Sequence, residues 1–248
     1  MTTLAQKRVA LLHEDRLFPA DEKTRAIARR LYEGIRDLPI VSPHGHTQAA
    51  WFSRNEAFPD PVKLFVQPDH YVFRMLYSQG ISLEDLEIGR AQIENPRDVW
   101  RIFASHYYLF RGTPTRLWLD YAFQELFGLT ERLGDATADL YYDTIEAKLA
   151  TAEFLPRALY ERFNMEVLAT TDSALDPLAD HAAIRDSGWK GRIVPTFRPD
   201  SVVDPQFPGF LLNVQALGAL TGENTGSWRA AAVGGETFGW IGGDDVLG

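Results

Sequence analysis

Met165-Glu166-Val167-Leu168-Ala169-Thr170-Thr171-Asp172 and Arg192-Ile193-Val194-Pro195-Thr196-Phe197 are two short runs rich in β-branched residues. Each ends in polar side chains: Thr171 and Asp172 for the first, Arg198-Pro199-Asp200 for the second. Between them the sequence predicts a helix from about Pro177 to Ser187, closed by Gly188. Two strands with a helix and some twenty residues between them form a β–α–β unit, because parallel neighbours need a long crossover. A parallel sheet places the fold in the α/β class, where chemistry gathers at the carboxyl ends of strands.

A third run, Leu38-Pro39-Ile40-Val41-Ser42-Pro43-His44-Gly45-His46-Thr47, has the same form. The strand is expected at 39–42, after a helix over 21–37 that Asp21 caps and that carries Ala26, Ala28, Leu31 and Ile35 as an apolar stripe. Side chains two apart on extended backbone point the same way. His44 and His46 are therefore candidates to share one metal ion, imidazole being a common ligand for zinc. Three polar clusters, His44/His46, Thr171/Asp172 and Arg198/Asp200, thus fall at three strand ends.

The intervening region differs in kind. A polar, Pro-punctuated loop is expected through Asn55 and Pro59-Asp60-Pro61, then a helix over 68–79. Further helical blocks are expected at 96–109, 115–127 and 137–150. Trp100, Phe103, Tyr107, Phe110, Trp118, Tyr121, Phe123 and Phe127 read as the packed core of a helical subdomain inserted between strands. From Gly226 to Gly248 there are seven glycines and no apolar period, so this stretch is expected to be irregular.

Composition bounds the function. The 248 residues are 45% hydrophobic and 12% aromatic, enough for a sizeable core. A formal net charge of −9 argues against nucleic acid or an anionic membrane as partner, and an anionic substrate would need a few placed arginines. With no cysteine, thiol catalysis and iron–sulfur clusters are excluded. No stretch reaches membrane-spanning length, and Met1-Thr2-Thr3-Leu4-Ala5-Gln6-Lys7-Arg8 lacks the apolar core of a signal peptide, so the chain reads as soluble and cytoplasmic. No serine occupies a G-x-S-x-G context, and no phosphate-cradling glycine loop is present.

Four blocks in order carry a family resemblance: Pro39 to His46; Gln67-Pro68-Asp69-His70-Tyr71 with Arg74 and Gly80; Thr170-Thr171-Asp172 with Pro177; and Pro195-Thr196-Phe197-Arg198-Pro199-Asp200. Together they closely resemble uronate isomerase, also called glucuronate isomerase, of the amidohydrolase superfamily. The resemblance runs from about residue 10 to about 225. It implies a metal-dependent (β/α)8 TIM barrel with an inserted helical subdomain at about 80–160. Residues 1–225 would be the N-terminal part of that barrel, and 226–248 the irregular tail. It also implies interconversion of aldohexuronates and ketohexuronates: D-glucuronate to D-fructuronate and D-galacturonate to D-tagaturonate. By motif, His44 and His46 match the metal ligands, Tyr71 an active-site tyrosine and Arg198 a substrate-contacting arginine. Asp172 sits in a matching motif with a supporting part in substrate binding.

Family members are roughly twice as long, and about three strands are visible where a closed barrel needs eight. The expectation is a truncation, with a shifted reading frame near residue 225, which would account for this and for the glycine-rich end. Two protein ligands imply a weakly held divalent ion, zinc first and manganese second. The expected partner is a small anionic sugar, and a homo-oligomer is left open. The competing readings are a metal-dependent hydrolase of the same superfamily, since H-x-H suits activated water equally well, and a non-catalytic fragment whose open half-barrel aggregates or borrows a partner.

Overall fold

A computed structural model describes residues 11–90 and 94–225. The glycine-rich 226–248, expected to be irregular, lies outside the described residues. The described residues divide into two compact units, 11–38 with 56–90 and 94–159, and 39–55 with 160–225.

Helix α1 (Glu22–Glu33) starts where the Asp21 carboxylate accepts the Thr24 amide at 2.8 Å. That bond holds Asp21 below the usual carboxylate range. Its apolar stripe is present but not covered: α1 buries no residue, and Leu31 and Ile35 are exposed. Strand β1 (Ile40–Ser42) comes next.

The polar loop expected after β1 instead holds two short helices, α2 (Ala49–Arg54) and α3 (Pro61–Phe65). The reason is local for α3. Asp60 accepts the amides of Val62 and Lys63 at 2.8 and 2.9 Å, and Pro61 occupies the first helical position. Helix α4 (His70–Tyr77) is capped in the same way by Asp69, which takes the Tyr71 amide at 2.8 Å.

Helices α5 (Pro96–Ser105), α6 (Pro114–Tyr121) and α7 (Ala138–Leu149) build the core of the helical unit. Trp100, Phe103, Tyr107, Phe110, Phe123 and Phe127 are buried together with Tyr141 and Leu76. The buried polar atoms are paired. Trp100 Nε1–H donates to the Ala138 carbonyl at 2.9 Å, and the Tyr107 hydroxyl donates to Asp120 at 2.9 Å. Burial, more than the neighbouring Asp120, drives the Tyr107 phenol far above its ordinary range. Trp118 and Tyr121 depart from the expected core and are exposed. Helical periodicity accounts for this: α6 buries Thr115 and Leu119, which turns 118 and 121 outward.

After α8 (Pro156–Arg162) the chain enters β2 (Met165–Ser173), α9 (Ala179–Asp186) and β3 (Arg192–Arg198), the expected β–α–β unit. Two further helices, α10 (Asp200–Val203) and α11 (Phe210–Thr221), complete the described chain. The three strands form one parallel sheet in the order β1-β2-β3. The register pairs Ser42 with Leu168 and Ser173 with Arg198. The α/β fold is thus present as a partial parallel sheet.

One small core lies under α2 and α9: Phe52, Tyr160, Leu168, Ile184 and Ile193, with Trp189 stacked on Phe52 at 5.9 Å. The Tyr160 hydroxyl accepts the Arg192 amide at 3.1 Å and donates to the Glu166 carbonyl at 2.7 Å, tying the starts of β2 and β3. A second cluster, Ala174, Val202, Val214 and Leu217, holds α10 and α11.

Candidate functional site

The site is built on the carboxyl edge of the sheet. Pro43 cannot donate to the ladder, so β1 ends at Ser42 and the chain turns. Gly45 lets the turn lie against β2: a Cβ at this position would stand 3.0 Å from the Ala169 carbonyl oxygen, tighter than ordinary contact. The turn is therefore held to β2, and the histidines on either side of Gly45 converge.

His44 Nε2 and His46 Nε2 are 3.1 Å apart, with ring centroids 4.9 Å apart and planes at 77°. Two ligands at about 2.0–2.1 Å from a tetrahedral zinc stand about 3.3 Å apart, so the two nitrogens span one edge of such a centre almost without movement. Both rings are exposed, which leaves the remaining coordination positions open. Among the described residues no group of three or more His, Cys, Asp or Glu side chains is arranged to hold a metal ion. The pair fits half a site.

One residue beyond the pair, Thr47 Oγ1 is buried without a hydrogen-bond partner, and Ser201 Oγ beyond β3 is in the same condition. A buried hydroxyl left unpaired costs about 1–3 kcal/mol. Both orphans lie just past strand ends.

Arg198 closes β3. Its side chain is 49% exposed, and Nε meets Asp200 Oδ2 at 3.3 Å. The single-point contact engages Nε and leaves the two terminal nitrogens for a carboxylate. Because β2 separates β1 from β3, and because Arg198 pairs with Ser173 while the histidine turn lies against Ala169, four residues back along β2, the turn and Arg198 lie roughly 15 Å apart.

Asp172 turns toward α9. Thr170, which alternation puts on the same face of β2, is fully buried. Its Oγ1 lies 2.6 Å from Asp172 Oδ2 and 2.9 Å from His181 Nε2. A hydroxyl has one proton, and the shorter contact to a carboxylate takes it. His181 then donates Nε2–H to Thr170, which fixes its tautomer. His181 Nε2 also stands 3.8 Å from Asp172 Oδ2. The sequence motifs did not single out His181, whose side chain is only 10% exposed. The legible signal was the Thr-x-Asp pair at the end of β2 with a histidine in the first turn of the next helix.

Tyr71 belongs to the other compact unit. It sits in the first turn of α4, 63% exposed, with the His70 ring 4.3 Å from its own. His44, His46, Asp172 and Arg198 are thus grouped by one sheet, and Tyr71 is not part of that group.

Residues 15–232 match the family model described as glucuronate isomerase. A uronate isomerase of Rhizorhabdus wittichii is 60% identical over 217 residues, covering 88% of this chain and 46% of the relative. One from Mesorhizobium japonicum is 58% identical over 224 residues, covering 89% and 48%. The solved glucuronate isomerase of Caulobacter crescentus superposes with a TM-score of 0.86 at 46% identity, over 93% of this chain and 49% of that one. The chain spans about half the length of the curated relatives it matches.

Proposed function

The chain belongs to the glucuronate isomerase family, and on that premise we propose that it carries the amino-terminal part of a uronate isomerase active site. Its three strands are read as the first three of an amidohydrolase-type (β/α)8 barrel, with residues 1–225 as the amino-terminal part and the helices of about 80–160 as an insertion. The proposed reaction interconverts D-glucuronate with D-fructuronate and D-galacturonate with D-tagaturonate. It moves a proton between C1 and C2, which calls for a base, an electrophile at oxygen and a clamp on the distant carboxylate.

His44 and His46 are proposed to hold a divalent ion, zinc or manganese. Bound there, the ion supplies Lewis acidity toward a substrate oxygen. With two protein ligands among the described residues, affinity is expected to be low. Arg198 is proposed to clamp the sugar carboxylate in a two-point contact through its terminal nitrogens. Asp172, which accepts from Thr170, is proposed to play a supporting part in substrate binding at the end of β2. Tyr71, on the family motif alone, is proposed to orient a substrate hydroxyl. No helix among the described residues is long and apolar enough to cross a membrane.

The observation that carries this reading is the 3.1 Å convergence of the two Nε2 atoms at the carboxyl end of a parallel strand. The test titrates the purified chain with zinc and, through its visible spectrum, with cobalt, and assays both uronates for ketose. The expected result is one weakly bound ion, with affinity reduced about ten-fold or more in His44→Ala. Unchanged binding in that variant, or hydrolysis of lactones without ketose, overturns it.

A further inference from the structure

We infer that Thr171 and Thr196 form a hydroxyl pair that binds the C4 hydroxyl of a hexuronate, and so reads the centre at which D-glucuronate and D-galacturonate differ.

The assignment starts from alternation along the strands. Leu168 and Ile193 pack with Phe52 of α2 and Ile184 of α9, and Thr170 meets His181 of α9. Phe197 packs on the cluster that holds α10 and α11. These residues turn one face of β2 and β3 toward helices, so the residues between them face the other way. That second face carries Ala169 and Thr171 on β2, and Val194, Thr196 and Arg198 on β3. Thr171 and Thr196 are register partners, and Ser173 pairs with Arg198. The two threonines therefore stand side by side, their Cα atoms roughly 5 Å apart, with Arg198 roughly 7 Å further along the same face.

Both hydroxyls are available to a ligand. Neither Thr171 Oγ1 nor Thr196 Oγ1 makes a hydrogen bond among the described residues. Both residues are half-buried, and the hydroxyls sealed from solvent without a partner are those of Thr47 and Ser201 instead. Thr170, one residue away, is the opposite case, its hydroxyl committed to Asp172, His181 and the Val194 carbonyl. A hydroxyl both donates and accepts, so two of them on neighbouring strands can hold a secondary alcohol from both sides. Arg198, on the same face, supplies the fork for a carboxylate. The ligand chemistry that fits this set is a polyhydroxy acid.

The position on the sugar rests on the proposed function. Along β2 the histidine turn lies against Ala169, Thr171 is two residues on, and Arg198 pairs with Ser173, two further. In an open-chain hexuronate the reacting C1 and C2 are at one end and the C6 carboxylate is at the other. With C2 held toward His44 and His46 and C6 at Arg198, C4 is midway and comes opposite the threonine pair.

The test titrates the purified chain, with zinc present, with D-glucuronate, D-galacturonate and 4-deoxy-D-glucuronate, following the threonine methyl signals by nuclear magnetic resonance. Thr171→Val, Thr196→Val and Thr196→Ser are titrated alongside; valine keeps the shape and strand preference of threonine. Removing the 4-hydroxyl should weaken binding to the native chain about five-fold or more. That loss should shrink to less than about two-fold in each valine variant and persist in Thr196→Ser. A purely structural threonine would weaken all three sugars alike and leave the ratio between them unchanged. No binding of either uronate, no effect of the 4-hydroxyl in the native chain, or an unchanged ratio in both valine variants overturns the inference. Coupling at the 4-hydroxyl without ketose overturns the isomerase reading and leaves this one standing, whereas ketose formation without coupling does the reverse.

Discussion

The helical unit gathers its buried aromatics into one continuous core, whereas the α/β unit divides its buried residues between two small clusters. Trp100, Phe103, Tyr107, Phe123 and Tyr141 are fully enclosed by helices close to them in sequence. The sheet unit splits its core into two small clusters and leaves Ile40, Val41, Leu211 and Leu212 uncovered. The difference is one of contact range. Helices closed by neighbouring helices complete their core within a short stretch of chain, while a parallel sheet needs strands that are distant in sequence.

The largest effect that tests this contrast is in the cores. Trp100→Ala should cost about 3–5 kcal/mol, since it opens a cavity and removes the indole N–H bond to the Ala138 carbonyl. Phe52→Ala, in the small cluster under α2 and α9, should fall at the low end of that range, about 3 kcal/mol, because fewer buried neighbours surround it. Urea denaturation followed by near-ultraviolet circular dichroism measures both. Equal losses would mean that the sheet unit is as well enclosed as the helical one.

A smaller effect is expected at the buried polar link. Thr170→Val keeps the shape but removes the hydroxyl between Asp172 and His181, and should cost about 1–3 kcal/mol. The same denaturation curves report it, and a neutral outcome would show that α9 is held by Ile184 and its neighbours alone.

The smallest effect is alkaline. Burial raises the phenols of Tyr107, Tyr141 and Tyr142 in the helical unit, Tyr142 to about 12, and that of Tyr160 in the sheet unit. The unfolded chain releases these protons near pH 10. The stabilisation is therefore complete below that pH and declines as pH rises through the folded-state values. Three such groups against one predict a steeper loss for the helical unit between about pH 10 and 12, measured as urea midpoints alongside tyrosinate absorbance.

Much of this architecture is legible along the chain. The three strands announce themselves as short β-branched runs with polar ends, and the helix over 179–186 as the crossover between two of them. His44 and His46 were visible because a two-residue period converts directly into a shared direction. Less legible were α2 and α3: Pro and Asp in a polar stretch suggest loop, yet Asp60 and Pro61 start a helix, and α2 is held by Phe52 against Trp189. His181 was missed because its partners, Thr170 and Asp172, belong to another element.

Periodicity, caps and the family motifs are local properties, and they were enough to read the α/β class, the helical blocks and the shared direction of His44 and His46. Which apolar faces are covered, and which polar atoms meet, depend on elements far apart in sequence. The exposed stripe of α1, the outward Trp118 and the Thr170 link therefore emerged only from the folded arrangement, because burial is a property of the neighbours a side chain acquires.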